Sequence, residues 1–482
     1  MKKIILSLLL TSLFGSGYAQ TNVSGGIFSN TTWTLAGSPY IVVDTTVVFP
    51  GVTLTIEPGV LVKFDDDLYL EIRQGTLIAN GTITDSITFT SNNPAPTPGI
   101  WGKGNDGGIY LNGSVPNAFF NFCNISYAVR GLSSAQHLKN SSFTYNEVGI
   151  GNLGNITVDS CVFKYHTTGP NAVGVSSISG TTMNHCSISN NDMGVYTLND
   201  AVLNNCTFDS NGLAFGGATG TTYDSEFHYC SISNNQNGLN AHGIGGNLLS
   251  HCIINNNTVQ GVSLGMATGA PDQVIDCEIK FNGKGVRVGS GNAALITRCD
   301  IENNTTGIEV SSASANIYCN KICNNTSYGL QMNTSANFNA DDNYWCTNDS
   351  AQIAAAIYDG YDNVNFGLVT FLPTDSTCYQ STGILENTNT PIGFSIFPNP
   401  TTGIIQLTLA VRQAGISTKH NAPLKCEIMN MMGERVFTSP LIPLQRRGEA
   451  AAQLDVSFLA KGIYLVRVGD GERWENKKLV VE

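Results

Sequence analysis

The chain has 482 residues, enough for two or three domains, and only 12% of them are charged. Its formal net charge of −12 is uneven: residues 1–393 hold 13 basic and 28 acidic side chains, whereas residues 394–482 hold 11 basic and 8 acidic ones. Because nucleic-acid binding requires a basic stripe, the acidic body predicts no nucleic-acid partner. The 51 glycines tolerate positive φ and favour strands with tight turns over helices.

The N-terminus has the pattern of an export signal. Two lysines precede an apolar run at residues 4–14, and small residues follow it. This order is typical of a secretory signal peptide, here residues 1–19, with cleavage between Ala19 and Gln20. The apolar run is too short to cross a bilayer, and no other long apolar run follows, so the mature chain is predicted to have no transmembrane segment.

Residues 20–122 read as strands separated by glycine and proline turns. Within residues 52–56 the even positions are apolar and the odd positions are threonine, which is the period of a strand with one buried face. The phrases GVTLTIEPG at 51–59 and GTLIANG at 75–81 resemble the opening coils of secreted bacterial right-handed parallel β-helices of the pectin-lyase-like type. This resemblance implies an N-terminal cap and first coils, and no particular activity.

A repeated phrase begins at residue 123. It consists of a small residue, usually cysteine, an apolar residue two positions later, one or two asparagines, and then glycine with an aliphatic residue. Cysteine occupies the first position at residues 161, 186, 206, 230, 252, 277 and 299. A fixed phrase at a period of about 20 to 25 residues predicts stacked coils, because no coil can bury its apolar face alone. Regular right-handed parallel β-helix repeats with a C-terminal cap are therefore expected over residues 123–373.

Thirteen cysteines in an exported chain raise the question of disulfides. The seven that share the first repeat position are expected to form an inward column of free thiols, each acting as a small buried apolar group. Outside that column, Cys346 and Cys378 are the favoured bridged pair. The sequence leaves Cys319 and Cys323 unassigned.

Charged residues concentrate between residues 251 and 321 of the repeat. Relatives of the pectin-lyase-like type that cleave polysaccharides carry their catalytic residues on outward positions of neighbouring coils. The repeat aligns His251, Asp276 and Arg298 on successive coils, where a base, its partner and a cation would meet, as a lyase acting on a uronate requires. The accompanying ligand-binding surface is predicted to comprise Glu278, Lys280, Arg287, Asp300, Glu302 and Glu309.

The same residues also have a purely structural interpretation. Opposite charges on neighbouring coils, namely Glu278 with Arg298, Lys280 with Glu302, and Arg287 with Glu309, would form ion pairs on a solvated surface. Such pairs help to align coils and contribute little free energy. Both interpretations remain open from the sequence.

No cofactor is predicted. The run Asp65–Asp67 offers oxygen ligands for calcium, but successive residues of a strand point to opposite faces, which disfavours a single cage. The cysteine column has no companion Cys-x-x-Cys, which argues against zinc. No phosphate-binding loop, dinucleotide fingerprint or serine nucleophile motif occurs in the sequence.

The chain changes character after residue 373. Residues 374–393 are polar, without periodicity, and read as a linker. Residues 394–482 contain short alternating strands that predict a small β-sandwich. Pro398-Asn-Pro400, Leu459 followed by Gly462-Ile-Tyr464, and the terminal Lys478-Leu-Val-Val closely resemble the C-terminal sorting domain of type IX secretion cargo in Bacteroidetes. The resemblance implies handling by the type IX machinery, removal of this domain, and attachment of the mature protein to the outer-membrane surface or its release.

The sequence therefore predicts an all-β protein: a right-handed parallel β-helix solenoid followed by a small C-terminal β-sandwich. Polar Ser, Thr and Asn faces and the absence of a catalytic signature favour a secreted or surface-displayed protein that binds carbohydrate or a cell-surface glycan without catalysis. The alternatives are a polysaccharide lyase or glycoside hydrolase acting at coils 251–321, and an inert structural surface protein. The fold alone does not decide among them.

Overall fold

The structure is a computed structural model. It describes residues 20–104, 107–112, 117–169, 172–216, 222–243, 245–267 and 269–378, and, further on, 394–397, 401, 403–409, 425–429, 435–440, 444–446, 449–469 and 474–481. The predicted signal peptide with Ala19, most of the predicted linker and Pro398-Asn-Pro400 lie outside these residues, whereas Gln20 is the first described residue. The chain divides into two compact units, residues 1–381 and 382–482.

The first unit is a parallel β-solenoid, as the repeat predicted. Its coils form three stacks of strands, here called sheets 1, 2 and 3. The long strands Thr21–Ile27 and Tyr40–Val48 pair within both sheet 1 and sheet 2 and join them at the N-terminal end.

The later strands of each sheet follow in chain order. Sheet 1 contains Leu61–Phe64, Ile87–Ser91, Cys123–Ser126, Ser142–Thr144, Val162–Lys164, Ser187–Ser189, Thr207–Asp209, Ser231–Ser233, Ile253–Asn255, Glu278–Lys280, Asp300–Glu302 and Lys321–Cys323. Sheet 2 contains Leu70–Arg73, Ile109–Asn112, Arg130–Ser134, Val148–Gly154, Val173–Ser179, Met193–Asn199, Leu213–Phe215, Thr222–Tyr223, Asn237–Gly243, Gln260–Ala267, Lys284–Val288, Thr306–Val310, Tyr328–Met332 and Ile357–Tyr358. Sheet 3 contains Thr31–Trp33, Thr53–Ile56, Thr76–Asn80, Asn117–Asn121, His137–Lys139, Thr157–Asp159, Thr182–Asn184, Val202–Asn204, Glu226–His228, Leu248–Ser250, Gln273–Ile275, Leu295–Thr297 and Asn316–Tyr318.

Equivalent residues of successive coils lie directly above one another. In sheet 1, Ile232, Ile254, Ile279, Ile301 and Ile322 pair in unbroken parallel register, and each is at most 2% exposed. Complete burial of one such side chain stabilises the fold by about 1.5–3 kcal/mol. The repeated apolar position therefore builds the core, and the residues on either side of it must face outward.

The predicted cysteine column lies inside the solenoid. The seven cysteines are buried and free, and the column continues through the buried Ser141 to Cys123, two coils before Cys161. The Cys277 thiol donates to the backbone oxygen of Ile275, with a sulfur–oxygen distance of 3.3 Å. Burial raises the pKa of the Cys123 thiol to about 12, so the thiol is held in its unreactive protonated form.

A ladder of buried asparagines lines the corner between sheets 1 and 2. Asn257 donates to the backbone oxygen of Ile232 at 3.0 Å and to the side-chain oxygen of Asn282 at 2.9 Å, and its own side-chain oxygen accepts from Asn235. Each coil thereby satisfies backbone groups of its neighbours that would otherwise be buried without partners.

The glycine that follows the ladder is required by close approach of the coils. A Cβ atom on Gly285 would lie 2.6 Å from the backbone oxygen of Gly307 on the next coil. This contact explains why glycine followed by an aliphatic residue recurs in the sequence.

The last coil is closed by a short cap. The helix Ser350–Ala355 begins at Asp349, whose carboxylate accepts from the Ala351 backbone N–H at 2.9 Å. The strand Ile357–Tyr358 follows the helix at once and joins sheet 2. Two further short strands, Phe338–Asn339 and Val369–Thr370, pair with each other.

Two disulfides fasten this cap, and they correct the predicted pairing. Cys319 is bonded to Cys378, and Cys323 is bonded to Cys346. The expected Cys346–Cys378 bridge is therefore wrong. Each cap cysteine meets a cysteine of the last complete coil, because the chain folds back over the end of the solenoid.

The second unit is a small β-sandwich, as predicted. One antiparallel sheet contains Phe394–Phe397, Ile404–Leu409, Leu444–Arg446 and Glu449–Asp455. The other contains Lys425–Met429, Arg435–Pro440, Gly462–Gly469 and Trp474–Val481. Ile405 and Leu407 of the first sheet share one buried core with Ile428, Val466 and Leu479 of the second.

Candidate functional site

The outer face of sheet 1 holds most of the charged residues that the sequence selected. Each three-residue strand presents its first and third side chains outward. The preceding corner residue has a positive φ, which is 54° at His251, 55° at Asp276 and 54° at Arg298. The sheet 1 face is defined here as these outward positions of coils 123–323 together with the two corner residues that border each strand.

His251, Asp276 and Arg298 come together as the sequence predicted. The Arg298 guanidinium donates two hydrogen bonds of 2.8 Å to the Asp276 carboxylate, one from Nε and one from a terminal nitrogen. The His251 Nε2 lies 3.9 Å from the same carboxylate, and its Nδ1 lies 2.7 Å from the Ser250 hydroxyl. Arg298 thus pairs with Asp276 and not, as the structural interpretation expected, with Glu278.

The contacts within this trio are unequal. Asp276 is bound by Arg298 and lies next to His251, and both ring nitrogens of His251 face a neighbouring polar group. At 3.9 Å the contact between His251 and Asp276 is too long for a hydrogen bond, so the bidentate pair of Arg298 with Asp276 is the strong contact of the trio. The arrangement orders the corner of three coils.

A second group of charges occupies the strands beside the trio. Lys280 Nζ lies 2.7 Å from Asp300, 3.4 Å from Glu278 and 3.5 Å from Glu302. Lys321 Nζ lies 2.6 Å from Glu302. The predicted contact between Lys280 and Glu302 is present, within a network of two cations and three carboxylates.

The two central carboxylates of this network differ in acidity. Burial raises the pKa of Asp300, and the adjacent Glu302 adds to the rise against the attraction of Lys280. Burial opposes ionisation of Glu302 as well, but the hydrogen bond from Lys321 prevails and lowers the pKa of Glu302. A pair of carboxyl groups with pKa values driven apart is able to divide acid and base roles between its members.

The remaining predicted residues lie on sheet 2, away from the sheet 1 face. Arg287 Nε donates to Glu309 at 3.1 Å, as predicted, and Lys284 Nζ lies 2.6 Å from the same carboxylate. Glu309 is almost fully buried beneath these two cations. Arg287 and Glu309 therefore belong to a coil-to-coil ion pair, separate from the charges around Lys280.

Three corner tyrosines, of which Tyr145 and Tyr165 are exposed, are functional candidates that the sequence analysis missed. Tyr127, Tyr145 and Tyr165 stack along the border of the sheet 1 face, with ring centroids 5.7 and 5.0 Å apart. On the opposite border, Tyr229 stacks on His251 at 4.9 Å and is 52% exposed. A signal for the first three existed, since each stands four residues after the small residue that opens its coil.

No cluster in the described residues makes a convincing metal centre. Glu302, Cys323 and Cys346 place potential ligand atoms within 4.8 Å of one another, but the two sulfurs are joined in a disulfide. In the Asp65–Asp67 run, Asp65 accepts from Asn92 and Asp66 from Asn93, while Asp67 turns the chain with a φ of 64°.

None of the helices in the described residues has the length and apolar character needed to span a membrane.

Two family models match the chain. Residues 128–272 match a right-handed β-helix region, and residues 395–482 match a secretion system C-terminal sorting domain. No characterised protein matches by sequence. The chain thus carries a right-handed parallel β-helix followed by a type IX sorting domain, which marks it for export by that secretion system.

Solved structures with a similar fold were also found. The A-modules of mannuronan C-5 epimerases AlgE4 and AlgE6 from Azotobacter vinelandii are 14% and 13% identical, with TM-scores of 0.35 and 0.24. The matches cover 68% and 75% of this chain and 87% and 91% of those chains. The tailspike protein gp49 of Acinetobacter baumannii bacteriophage Fri1, a capsular polysaccharide depolymerase, is 12% identical with a TM-score of 0.29, covering 89% of this chain and 73% of that one. Likenesses at this level carry no argument about activity.

Proposed function

We propose that the exported β-helix binds carbohydrate along the sheet 1 face and does not catalyse a reaction there. The observation that carries the proposal is a floor of short polar side chains bordered by exposed tyrosines. Between the two tyrosine borders the floor consists of Ser187, Ser189, Thr207, Asp209, Ser231 and Ser233. Hydroxyl and carboxylate groups on a rigid sheet match the alternating donors and acceptors of a sugar chain.

The borders of this floor supply the apolar contacts that sugar rings need. The Tyr165 ring is covered by Tyr145 on one side, and the next coil places the smaller Asn190 at its corner. Tyr229 is likewise covered by His251 on one side, with the smaller Asn205 at the corner of the preceding coil. Each tyrosine therefore offers one open ring face toward the polar floor. Aromatic rings bind apolar faces with little loss of conformational entropy.

The charge distribution supports binding over catalysis. Arg298 is paired with Asp276, and Lys280 and Lys321 are held by carboxylates. An acidic polysaccharide would have to break these ion pairs to reach a cation. A neutral or weakly charged glycan could lie on the polar floor without breaking any of these ion pairs.

The test compares retention of two single variants on immobilised glycans. The secreted protein without its signal peptide is passed through affinity gels that contain plant, algal or animal polysaccharides. Tyr229→Ala is expected to weaken retention about tenfold, the size of one lost aromatic contact with its hydrogen bond. Tyr196→Ala is the matched control, because Tyr196 is 39% exposed but lies on sheet 2. Equal retention of both variants would contradict binding at the sheet 1 face, and no retention of the parent protein on any gel would favour an inert structural role.

A hydrolase is the second candidate, and one observation favours it. Asp300 and Glu302 stand two residues apart on one strand with pKa values shifted in opposite directions. Protonated Asp300 would donate its proton to the glycosidic oxygen, while ionised Glu302 would activate water or attack the sugar. Asp300→Asn should then abolish release of reducing ends, whereas Glu226→Gln, an exposed carboxylate on sheet 3, should not. Absence of turnover by the parent protein on the same polysaccharides would exclude this candidate.

We further propose that the sorting domain is removed after export and that the mature solenoid stays on the outer-membrane surface. The match of residues 395–482 to a sorting domain supports this order of events. Mass spectrometry of the surface and medium fractions would test it. Recovery of the intact chain including residues 394–482 outside the cell would contradict the removal.

A further inference from the structure

A shallow cavity of about 500 Å³ lies on the outer face of sheet 3, on a different side of the solenoid from the sheet 1 face. Its lining comes from four successive strands between Ile78 and Asp159. The volume is within the range of small-molecule sites, about 300–1,000 Å³. None of the residues considered above as candidates contributes to it.

An aromatic pair forms the centre of this cavity. The rings of Phe119 and His137 are 4.5 Å apart and within 6° of parallel. This separation is close to the spacing of neighbouring strands in a sheet, about 4.8 Å. The two ring planes are therefore roughly perpendicular to the axis of the solenoid, and the rings stack from one coil to the next. Phe119 covers one face of His137, and the other face points to the next coil, where the column continues with the short side chain of Thr157. Because threonine is smaller than imidazole, the face of the His137 ring that points to Thr157 is left uncovered.

Polar groups border the open ring face. The neighbouring outward column contains Asn121, Lys139 and Asp159, which pair in register from coil to coil. Lys139 is exposed and forms no ion pair within the described residues, and the Asp159 carboxylate lies 3.2 Å from His185 Nδ1. The lining thus combines an apolar platform with one cation, one anion and amides, without net charge.

We infer that this cavity is a second carbohydrate subsite, which takes a neutral hexopyranose unit. The apolar C–H face of the sugar packs on His137 above Thr157, and its hydroxyls donate to Asp159 and accept from Lys139 and Asn121. The hydroxyls of a neutral sugar can form hydrogen bonds with Lys139 and Asp159 at the same time. A uronate would be repelled by Asp159, and an amino sugar would be repelled by Lys139. The inference rests on the proposed carbohydrate role and adds a second place and a sugar class to it.

The experiment uses saturation-transfer NMR and calorimetry on the secreted protein without its signal peptide. The probes are β-1,4-linked tetramers of glucose, mannose and galactose, with tetragalacturonate as the acidic counterpart. His137→Ala removes the platform, and Thr157→Tyr extends the ring stack and fills the open face. Both positions are exposed, so neither change disturbs the core. Tyr229→Ala measures, in the same experiment, how much of the binding depends on the sheet 1 face.

The expected result is that at least one neutral tetramer binds and that both sheet 3 variants weaken it about tenfold or more, an effect that corresponds to about 1.4 kcal/mol. Binding that is lost in Tyr229→Ala and unchanged in both sheet 3 variants would overturn this inference and leave the proposed function standing. Binding of tetragalacturonate alone, abolished by Lys139→Gln, would overturn the neutral-sugar assignment. No binding of any tetramer would overturn the inference together with the carbohydrate role.

Discussion

Acidification is expected to destabilise the solenoid through one buried imidazole. His166 occupies a rung of the asparagine ladder, is fully buried, and its Nδ1 accepts from the Asn146 backbone N–H at 3.2 Å. Burial disfavours the charged ring and lowers the pKa of His166 from 6.5 to about 4, although the Asn146 backbone oxygen, 2.9 Å from Nδ1, favours the protonated ring and opposes the shift.

The sign and the size of the effect follow from proton linkage. Between pH 6.5 and pH 4 the unfolded chain binds a proton at His166 and the native chain does not, so the free energy of unfolding falls as the pH falls. At about 1.36 kcal/mol per pKa unit, the loss is about 2 kcal/mol at pH 5 and about 3 kcal/mol at pH 4. Above pH 6.5 the residue is neutral in both states and adds no pH dependence.

The assay is urea unfolding at pH 7 and pH 5, followed by circular dichroism. His166→Asn restores the residue type of the ladder and should remove about 2 kcal/mol of the difference between the two pH values. His137→Asn serves as the control, because His137 is exposed and its solvation changes little on unfolding. If the parent chain and His166→Asn lose the same free energy between pH 7 and pH 5, the buried imidazole is not the cause.

Two further predictions concern stability. Gly285→Ala should destabilise the fold by about 3 kcal/mol, since its Cβ would lie 2.6 Å from a backbone oxygen of the next coil, whereas Gly154→Ala, with no atom within 4 Å of the added Cβ, should be nearly neutral in the same urea titration. Replacing Cys319 and Cys378 together by alanine should lower the free energy of unfolding by about 4 kcal/mol, because the bridge spans 59 residues. An unchanged unfolding midpoint would show that the cap is held without that bond.

The fold was predictable because each coil packs against neighbouring coils of similar sequence. A residue that is apolar in every repeat has the same neighbours in every coil, so the inward positions of Cys186 and Ile188, both at most 1% exposed, could be assigned by alignment alone. The cap has no repeat to align. Its disulfides depend on where the chain returns after the last coil, and for that reason the partners of Cys319 and Cys323 could not be derived from spacing.

The alignment of the repeat predicted which residues of the candidate site lie on neighbouring coils, and of the three predicted ion pairs only the one between Glu278 and Arg298 was wrong. Alignment placed Asp276 and Arg298 on adjacent coils, and they do meet. The alternative partner Glu278 belongs to the strand, whereas Asp276 and Arg298 both stand at corners with positive φ, so their side chains run along the same edge. Tyr145 and Tyr165 were missed because a corner position was taken only as a turn, although each tyrosine stands four residues after the residue that opens its coil.

The unequal ends of the solenoid determine how it responds to mechanical load. At the N-terminal end, Thr21–Ile27 pairs with Tyr40–Val48 on one side only, within the described residues. At the other end, a pull on the chain beyond Cys378 passes through a covalent bond directly to Cys319. Force from the sorting-domain side therefore bypasses residues 320–377, so the cap cannot unfold while this bond is intact, whereas force from the N-terminal side acts on first coils that no disulfide within the described residues protects. A chain tethered from its C-terminal side therefore keeps its cap folded under shear.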